Sequence, residues 1–257
     1  MGDRQESLTR TIRLDALLVE RGLAASRERA RALILAGVVR VGDQTVAKAG
    51  TPVRRDAHVT LVAPDHPYVS RGGLKLAHAL DVFGIDPAGR LALDVGASTG
   101  GFTDVLLRRG AARVVALDVG HGQIDWRLRT DPRVVVLERV NARTLQADAL
   151  PPDARTFGVI TIDVSFISLR QILPAVVPFL ARDGDLVALV KPQFEAGRAE
   201  VGKGGIVRDE HVRARVLDEV TQSALALGLT RAGATDSPIT GMEGNQEYLL
   251  HLRWLNA

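Results

Sequence analysis

Residues 91–102, Leu91-Ala92-Leu93-Asp94-Val95-Gly96-Ala97-Ser98-Thr99-Gly100-Gly101-Phe102, decide the fold. An apolar strand over 91–95 runs into a glycine-rich turn that opens a helix. Gly96 and Gly100 stand four residues apart, and the next apolar run, Val114 to Leu117, closes on Asp118. This is the pattern of a nucleoside-cofactor turn; the competing structural reading is an ordinary tight strand-to-helix connection. A dinucleotide turn needs G-x-G-x-x-G, whose middle glycine lets the backbone approach a pyrophosphate at the helix N-terminus. Ser98 occupies that place here. The D-x-G-x-x-x-G form suits S-adenosylmethionine, which carries no phosphate and needs close backbone approach around its methionine part. The candidate cofactor residues are thus Asp94, Gly96, Ala97, Ser98, Thr99, Gly100, Gly101 and Phe102, with Asp118 placed to accept both ribose hydroxyls.

Downstream, apolar runs at 113–117, 134–137, 157–162 and 185–190 alternate with helical stretches, which predicts an α/β fold with a parallel sheet and right-handed crossovers. A helix from about Asp209 to Leu227 precedes two closing strands, Leu229 to Ala234 and Gln246 to Trp254, one of them antiparallel to the rest. Glu138 and Asn141, at the end of the third strand, are candidates to reach an adenine, although an Asn in a turn has an equally good structural explanation.

Upstream lies a different kind of unit. Leu14, Leu17 and Leu18 have helical spacing, Gly22 ends that helix, and Ser26 is a cap for a second one that Gly37 stops. Short strands follow at Val38 to Val41, Gln44 to Ala47 and His58 to Val62. The division expected is a small α+β domain over 1–62, a linker over 63–69 and a Rossmann-like domain over 70–257. Residues 1–65 hold 11 Lys and Arg against 8 Asp and Glu, while the rest carries 22 of each, so the small domain is the basic one. Arg27, Arg29, Arg31 and Arg40 read either as a solvated face or as a phosphate-binding surface. Arg13 and Arg71 join them as candidate RNA contacts.

The 257 residues are 46% hydrophobic and contain no cysteine, which excludes disulfides and thiolate metal sites. The polar N-terminus is not a signal peptide, and no apolar run approaches the ~20 residues of a membrane span. A cytoplasmic protein without membrane association is the expectation. The six histidines show no ligand spacing, so no metal is expected.

Arginine dominates the cations; Lys48, Lys75, Lys191 and Lys203 are the only lysines. Arginine cannot serve as a base, whereas a lysine that is desolvated or set beside another cation can lose its proton near neutrality. Lys191 and Asp163 each follow a buried strand, at the carboxyl edge where open α/β sheets bind ligands. Lys75 lies early in the helix before the first strand of the sheet, and Glu247 heads the last strand. Taken singly, these two read as surface charges. Together, Lys75, Asp163, Lys191 and Glu247 would form an alternating cation and anion set in one cleft.

That set resembles the Lys-Asp-Lys-Glu tetrad of FtsJ-type ribose 2′-O-methyltransferases. From about residue 12 to 254 the chain resembles the hemolysin-like TlyA family of rRNA 2′-O-methyltransferases: an S4-type RNA-binding module, then SRGGLKL, DVGASTGGFTDVLL, ALDVGHGQ, LERVNAR, DVSFISL and LVKPQFE. The resemblance implies S-adenosylmethionine as donor, a cytidine 2′-hydroxyl of ribosomal RNA as acceptor, and ribosomal RNA or subunits as partners. The linker His66-Pro67-Tyr68-Val69 lacks a tryptophan that some members carry.

A ribose hydroxyl is a poor nucleophile at neutral pH, so a base is needed; Lys191, neutralised beside Lys75, is the candidate, with Asp163 orienting it and Glu247 holding Lys75. Phe102 and Phe166 read as core or wall rather than as base-stacking platforms. Gly197 to Gly205 reads as a mobile loop placed to close over RNA. The rival readings are a Rossmann dehydrogenase, disfavoured by Ser98; a non-catalytic RNA-binding or ribosome-assembly factor, disfavoured by the intact tetrad; and a membrane-lytic protein, for which no amphipathic helix of the interfacial kind speaks.

Overall fold

Both faces of a parallel sheet are covered, so its strands read as nearly unbroken apolar runs. The computed structural model, which describes residues 11–24, 26–62 and 66–254, places these runs in one seven-stranded sheet. Its strands are β6 (Leu91–Val95), β7 (Arg113–Asp118), β8 (Val134–Glu138), β9 (Phe157–Ile162), β10 (Leu180–Val190), β11 (Leu229–Asp236) and β12 (Tyr248–Trp254), in the order β11-β12-β10-β9-β6-β7-β8. Side chains alternate across it. Leu93, Val95, Ile160, Ile162, Ala188 and Val190 join the core on one face, while Ala92, Val159, Val187 and Leu189 join the core on the other. The first core is closed by α6 (Leu169–Val176) and α8 (Glu210–Leu225), the second by α3 (Gly72–Phe83) and α4 (Gly101–Arg108).

β6, β7, β8, β9 and β10 are parallel, and β12 runs antiparallel to β10 with Tyr248 opposite Val190. That reversal brings the start of β12 to the carboxyl end of β10. The strand order switches between β6 and β9, and a switch point of this kind opens a crevice outside the strand ends.

The small domain is built on α1 (Leu14–Glu20) and α2 (Arg27–Leu35), which bury Leu14, Leu17, Leu18, Ala30 and Ile34. Ser26 caps α2 by accepting from Arg29 N at 3.1 Å. β2 (Val39–Val41), β3 (Gln44–Thr45) and β5 (Val59–Leu61) form one sheet; β1 (Thr11–Arg13) pairs with β4 (Pro52–Arg54) in another that the sequence pattern does not announce. Residues 1–10, the linker residues 63–65 and residues 255–257, where the expected domain limits partly fall, lie outside the described residues. Tyr68 of the linker seats against α3, where a Cβ on Gly73 would overlap its ring. Among the described residues no helix is long and apolar enough to cross a membrane.

Candidate active site

Four strand ends converge on the crevice. Gly96 follows β6 at φ +85°, and a side chain there would collide with the Asp163 carbonyl beyond β9. Gly100, at φ +94°, leaves room for Leu128. Both positions are left-handed, where glycine carries no steric cost. Asp118 holds the turn: its Oδ2 accepts from Ser98 N at 2.7 Å and its Oδ1 from Gly120 N at 2.6 Å. The Ser98 N–H that would meet a pyrophosphate in a dinucleotide turn is thus already bonded to a carboxylate.

Asp94 corrects the sequence reading. It is fully buried, and its carboxylate accepts from the Thr103 hydroxyl at 2.6 Å and the Thr161 hydroxyl at 3.0 Å. Burial pushes its carboxyl up to about 7. Asp94 therefore braces the turn from beneath, and its side chain does not line the cleft. Phe102 is also core, at 3% exposure, though its edge reaches the cleft. Asn141 caps its own turn by accepting from Arg143 N at 3.0 Å. Glu138 is engaged by Gly122 N at 2.8 Å, His121 at 2.7 Å and Arg129.

A cleft of about 550 Å³ runs from Gly96, Ala97, Ser98 and Thr99 to the tetrad, within the ~300–1,000 Å³ usual for small-molecule sites. The same cleft holds two ion pairs. Lys75 Nζ lies 2.5 Å from Glu247 Oε2, both nearly buried. Lys191 Nζ lies 2.6 Å from Asp163 Oδ1 and donates to Ser165 Oγ at 2.9 Å. The short Lys191–Asp163 approach does not have hydrogen-bond angles, so Asp163 Oδ1 is buried without a donor. Burial pushes the Asp163 carboxyl up, but the Lys191 and Lys75 charges outweigh it and hold the group below the ordinary range. An ionised carboxylate beside the glycine turn suits a cationic sulfonium and repels a phosphate. In this respect the residues fit S-adenosylmethionine.

Three features escaped the sequence. Ser165 completes the grip on Lys191. Phe166, read as wall, is 91% exposed at φ +65°, with its ring 5.0 Å from that of Phe194 on the cleft rim. A bulky side chain in that region is an outlier, and such strain clusters at functional sites. The small domain also contributes Lys48 and Thr45 to the cleft wall. Conversely, the segment from Gly197 to Gly205 is anchored rather than free. Glu200 accepts from Arg215 at 2.6 and 2.7 Å, and the buried Asn245 donates to Gly205 O at 2.8 Å and accepts from Val207 N at 2.9 Å.

The arginines divide. Arg13, Arg27 and Arg31 surround the buried carboxylate of Asp15 at 2.9, 3.1 and 3.5 Å, each guanidinium about half exposed. Arg40 is exposed on β2. Arg71 lines the cleft and donates to Thr240 O at 3.0 Å. Arg29 instead reaches Asp125 of the larger domain.

The sequence model of the FtsJ-like methyltransferase family matches residues 68–254, and that of the S4 domain matches residues 12–59. The chain is 51% identical over 247 residues to the 16S/23S rRNA (cytidine-2′-O)-methyltransferase TlyA of Mycobacterium tuberculosis, covering 96% of this chain and 91% of that one. It is 41% identical over 240 residues to Hemolysin A of Brachyspira hyodysenteriae, covering 93% of this chain and 99% of that one. Among solved structures it resembles the "Putative hemolysin from Streptococcus thermophilus", with a TM-score of 0.74 and 41% identity over 97% of this chain and 90% of that one.

Proposed function

The chain belongs to the TlyA family of FtsJ-like methyltransferases and acts as an S-adenosylmethionine-dependent rRNA (cytidine-2′-O)-methyltransferase, and we propose that the cleft between the glycine turn and the tetrad carries the reaction. The observation that supports this most is the arrangement of Lys75 with Glu247 and Lys191 with Asp163 in the same cleft as the cofactor turn. A membrane-lytic protein has no use for such a set.

S-adenosylmethionine supplies a methyl group already activated on a sulfonium. The backbone of Gly96 to Thr99 and the remaining lone pairs of Asp118 hold it in this reading. Asp163 offers the compensating negative charge. What the chain adds is positioning of the ribose and removal of one proton from its 2′-oxygen. Lys191 is the group that takes this proton, with Asp163 and Ser165 fixing its Nζ. Lys75, tied to Glu247, lines the same cleft. Phe166 presents an open aromatic face on which the target base stacks; stacking of this kind contributes roughly 1–3 kcal/mol per base. Residues 1–62, with Arg13, Arg27, Arg31 and Arg40, hold the RNA backbone, and Arg71 and Lys48 extend that basic track to the cleft. Residues 70–257 form the methyltransferase domain in this division.

The ion pair between Lys191 and Asp163 supports a second reading, in which Lys191 remains an ammonium that clamps the 2′-oxygen and water takes the proton. Lys191→Arg separates the two. It keeps the charge but cannot accept a proton, so as a base variant it loses about 10²–10⁴-fold in single-turnover methyl transfer while still binding S-adenosylmethionine. Near-normal turnover establishes the clamp. Mapping ribose methylation on rRNA from cells with and without the protein identifies the nucleotide and the subunit.

A further inference from the structure

The segment between β7 and β8 grips the cofactor turn residue by residue. Gln123 Oε1 accepts from the Ser98 hydroxyl at 3.3 Å, Asp125 N donates to Thr99 O at 3.1 Å, and Ile124 and Leu128 fill the space beside Gly100. Support of this kind matters there. Ser98 stands at φ +48° and Gly100 at +94°, and a non-glycine residue holds such a conformation only where its surroundings impose it.

Asp125 is the centre of that grip. Its Oδ1 caps α5 (Trp126–Arg129), accepting from Arg127 N at 2.9 Å and Arg127 Nε at 3.1 Å. Its Oδ2 faces Arg29 Nη1 at 3.3 Å, and Arg29 belongs to α2 of the small domain. Beside this pair the domains enclose a cavity of about 380 Å³, with Ala32 and Leu33 on one wall and Thr99, Gln123 and Asp125 on the other. The cavity thins the direct packing between α2 and the turn, which leaves the ion pair as the polar link across it.

We propose that Arg29 and Asp125 are positioning residues for the cofactor turn, so that S-adenosylmethionine affinity depends on how the small domain is docked. This rests on residues 94–102 being the cofactor site. Arg29, first read as an RNA contact, is spent on the larger domain. Because the link is thermodynamic, it is reciprocal: RNA that shifts α2 changes cofactor affinity by the same factor by which cofactor changes RNA affinity. The Arg29 side chain is 43% exposed, so salt screens the pair.

The test is calorimetric titration of S-adenosylmethionine into the full chain, as wild type, Arg29→Gln, Asp125→Asn and the double variant. Asn also caps helices, so Asp125→Asn keeps the cap while it removes the charge paired with Arg29 and, within α5, with Arg127. Each single variant binds roughly two- to five-fold more weakly at low salt, the double variant no more weakly than either, and the gap closes near about 1 M salt. Arg54→Gln, in the same domain but on β4, binds as wild type. Wild-type affinity in both single variants, additive losses in the double variant, or a loss that persists at high salt overturns the proposal. Failure of the wild type itself to bind S-adenosylmethionine overturns the cofactor-site reading beneath it.

Discussion

Asp94 is a carboxylate that the folded protein keeps largely protonated up to neutral pH. Burial lifts it to about 7, whereas in the unfolded chain it titrates near 3.8. The sign follows from linkage. Between about pH 4 and pH 7 the unfolded chain releases this proton and the folded protein does not, so stability falls across that window and levels off above it. Three pKa units correspond to on the order of 4 kcal/mol. Asp94→Asn keeps the shape and still serves both threonine hydroxyls, but it cannot titrate. Thermal melts from pH 4.5 to 8 should therefore fall less steeply for the variant, which gains on the wild type as pH rises. Parallel curves would show that Asp94 does not titrate differently in the two states. Phe166 carries the opposite lesson about legibility. Its identity is plain in DVSFISL, but its 91% exposure and positive φ come from the loop's path and leave no trace in residue order.

At the scale of elements, Glu195 ties together two loops that line the cleft. It ends α7 (Pro192–Glu195), four residues after Lys191, and its buried carboxylate accepts from Ser168 Oγ at 2.5 Å and Leu169 N at 2.7 Å at the start of α6. The loop it fixes carries Asp163, Ser165 and Phe166. Glu195→Gln has only one acceptor oxygen for these two donors, so single-turnover transfer should drop roughly ten-fold at unchanged S-adenosylmethionine affinity, with the melting temperature somewhat lowered. Ser168→Ala should act similarly and add little in combination; a full rate in Glu195→Gln would remove the residue from this role. The long buried strands were readable because apolar residues dominate their buried stretches. β1 and β4, three residues each, are too short to show a period, and only their pairing reveals them. Lys191 and Asp163 were readable as strand-tip charges. Glu247 was readable only as a charge at the head of the last strand that would join the set if the fold closed as expected, since its meeting with Lys75 depends on β12 running backwards beside β10. The anchoring of residues 197–205 was invisible because Asn245, which clamps them, lies about 40 residues away.

For the whole molecule, the small net charge of +3 conceals an organised basic surface. Asp15 is the device that organises it. Its hydrogen bonds from Arg13, reinforced by Arg27, hold its carboxyl far below the usual range despite burial, so it remains a fixed anion among three guanidiniums. Counterion release alone says that Asp15→Asn, which adds a positive charge, should strengthen RNA binding and steepen its salt dependence. If Asp15 preorganises the arginines, the variant instead binds an rRNA fragment more weakly, by roughly three- to ten-fold, with circular dichroism unchanged. Tighter binding would show that the arginines need no template. The cleft wall has a further consequence. Lys48 and Thr45 come from one domain and the tetrad from the other, so the cleft is a seam rather than a pocket. Its aperture is set by the angle between two bodies joined by a short tether, and domains so joined move relative to each other by default. A wedge lodged in that seam would inhibit the enzyme without resembling nucleotide or methyl donor, by holding the two halves at the wrong spacing.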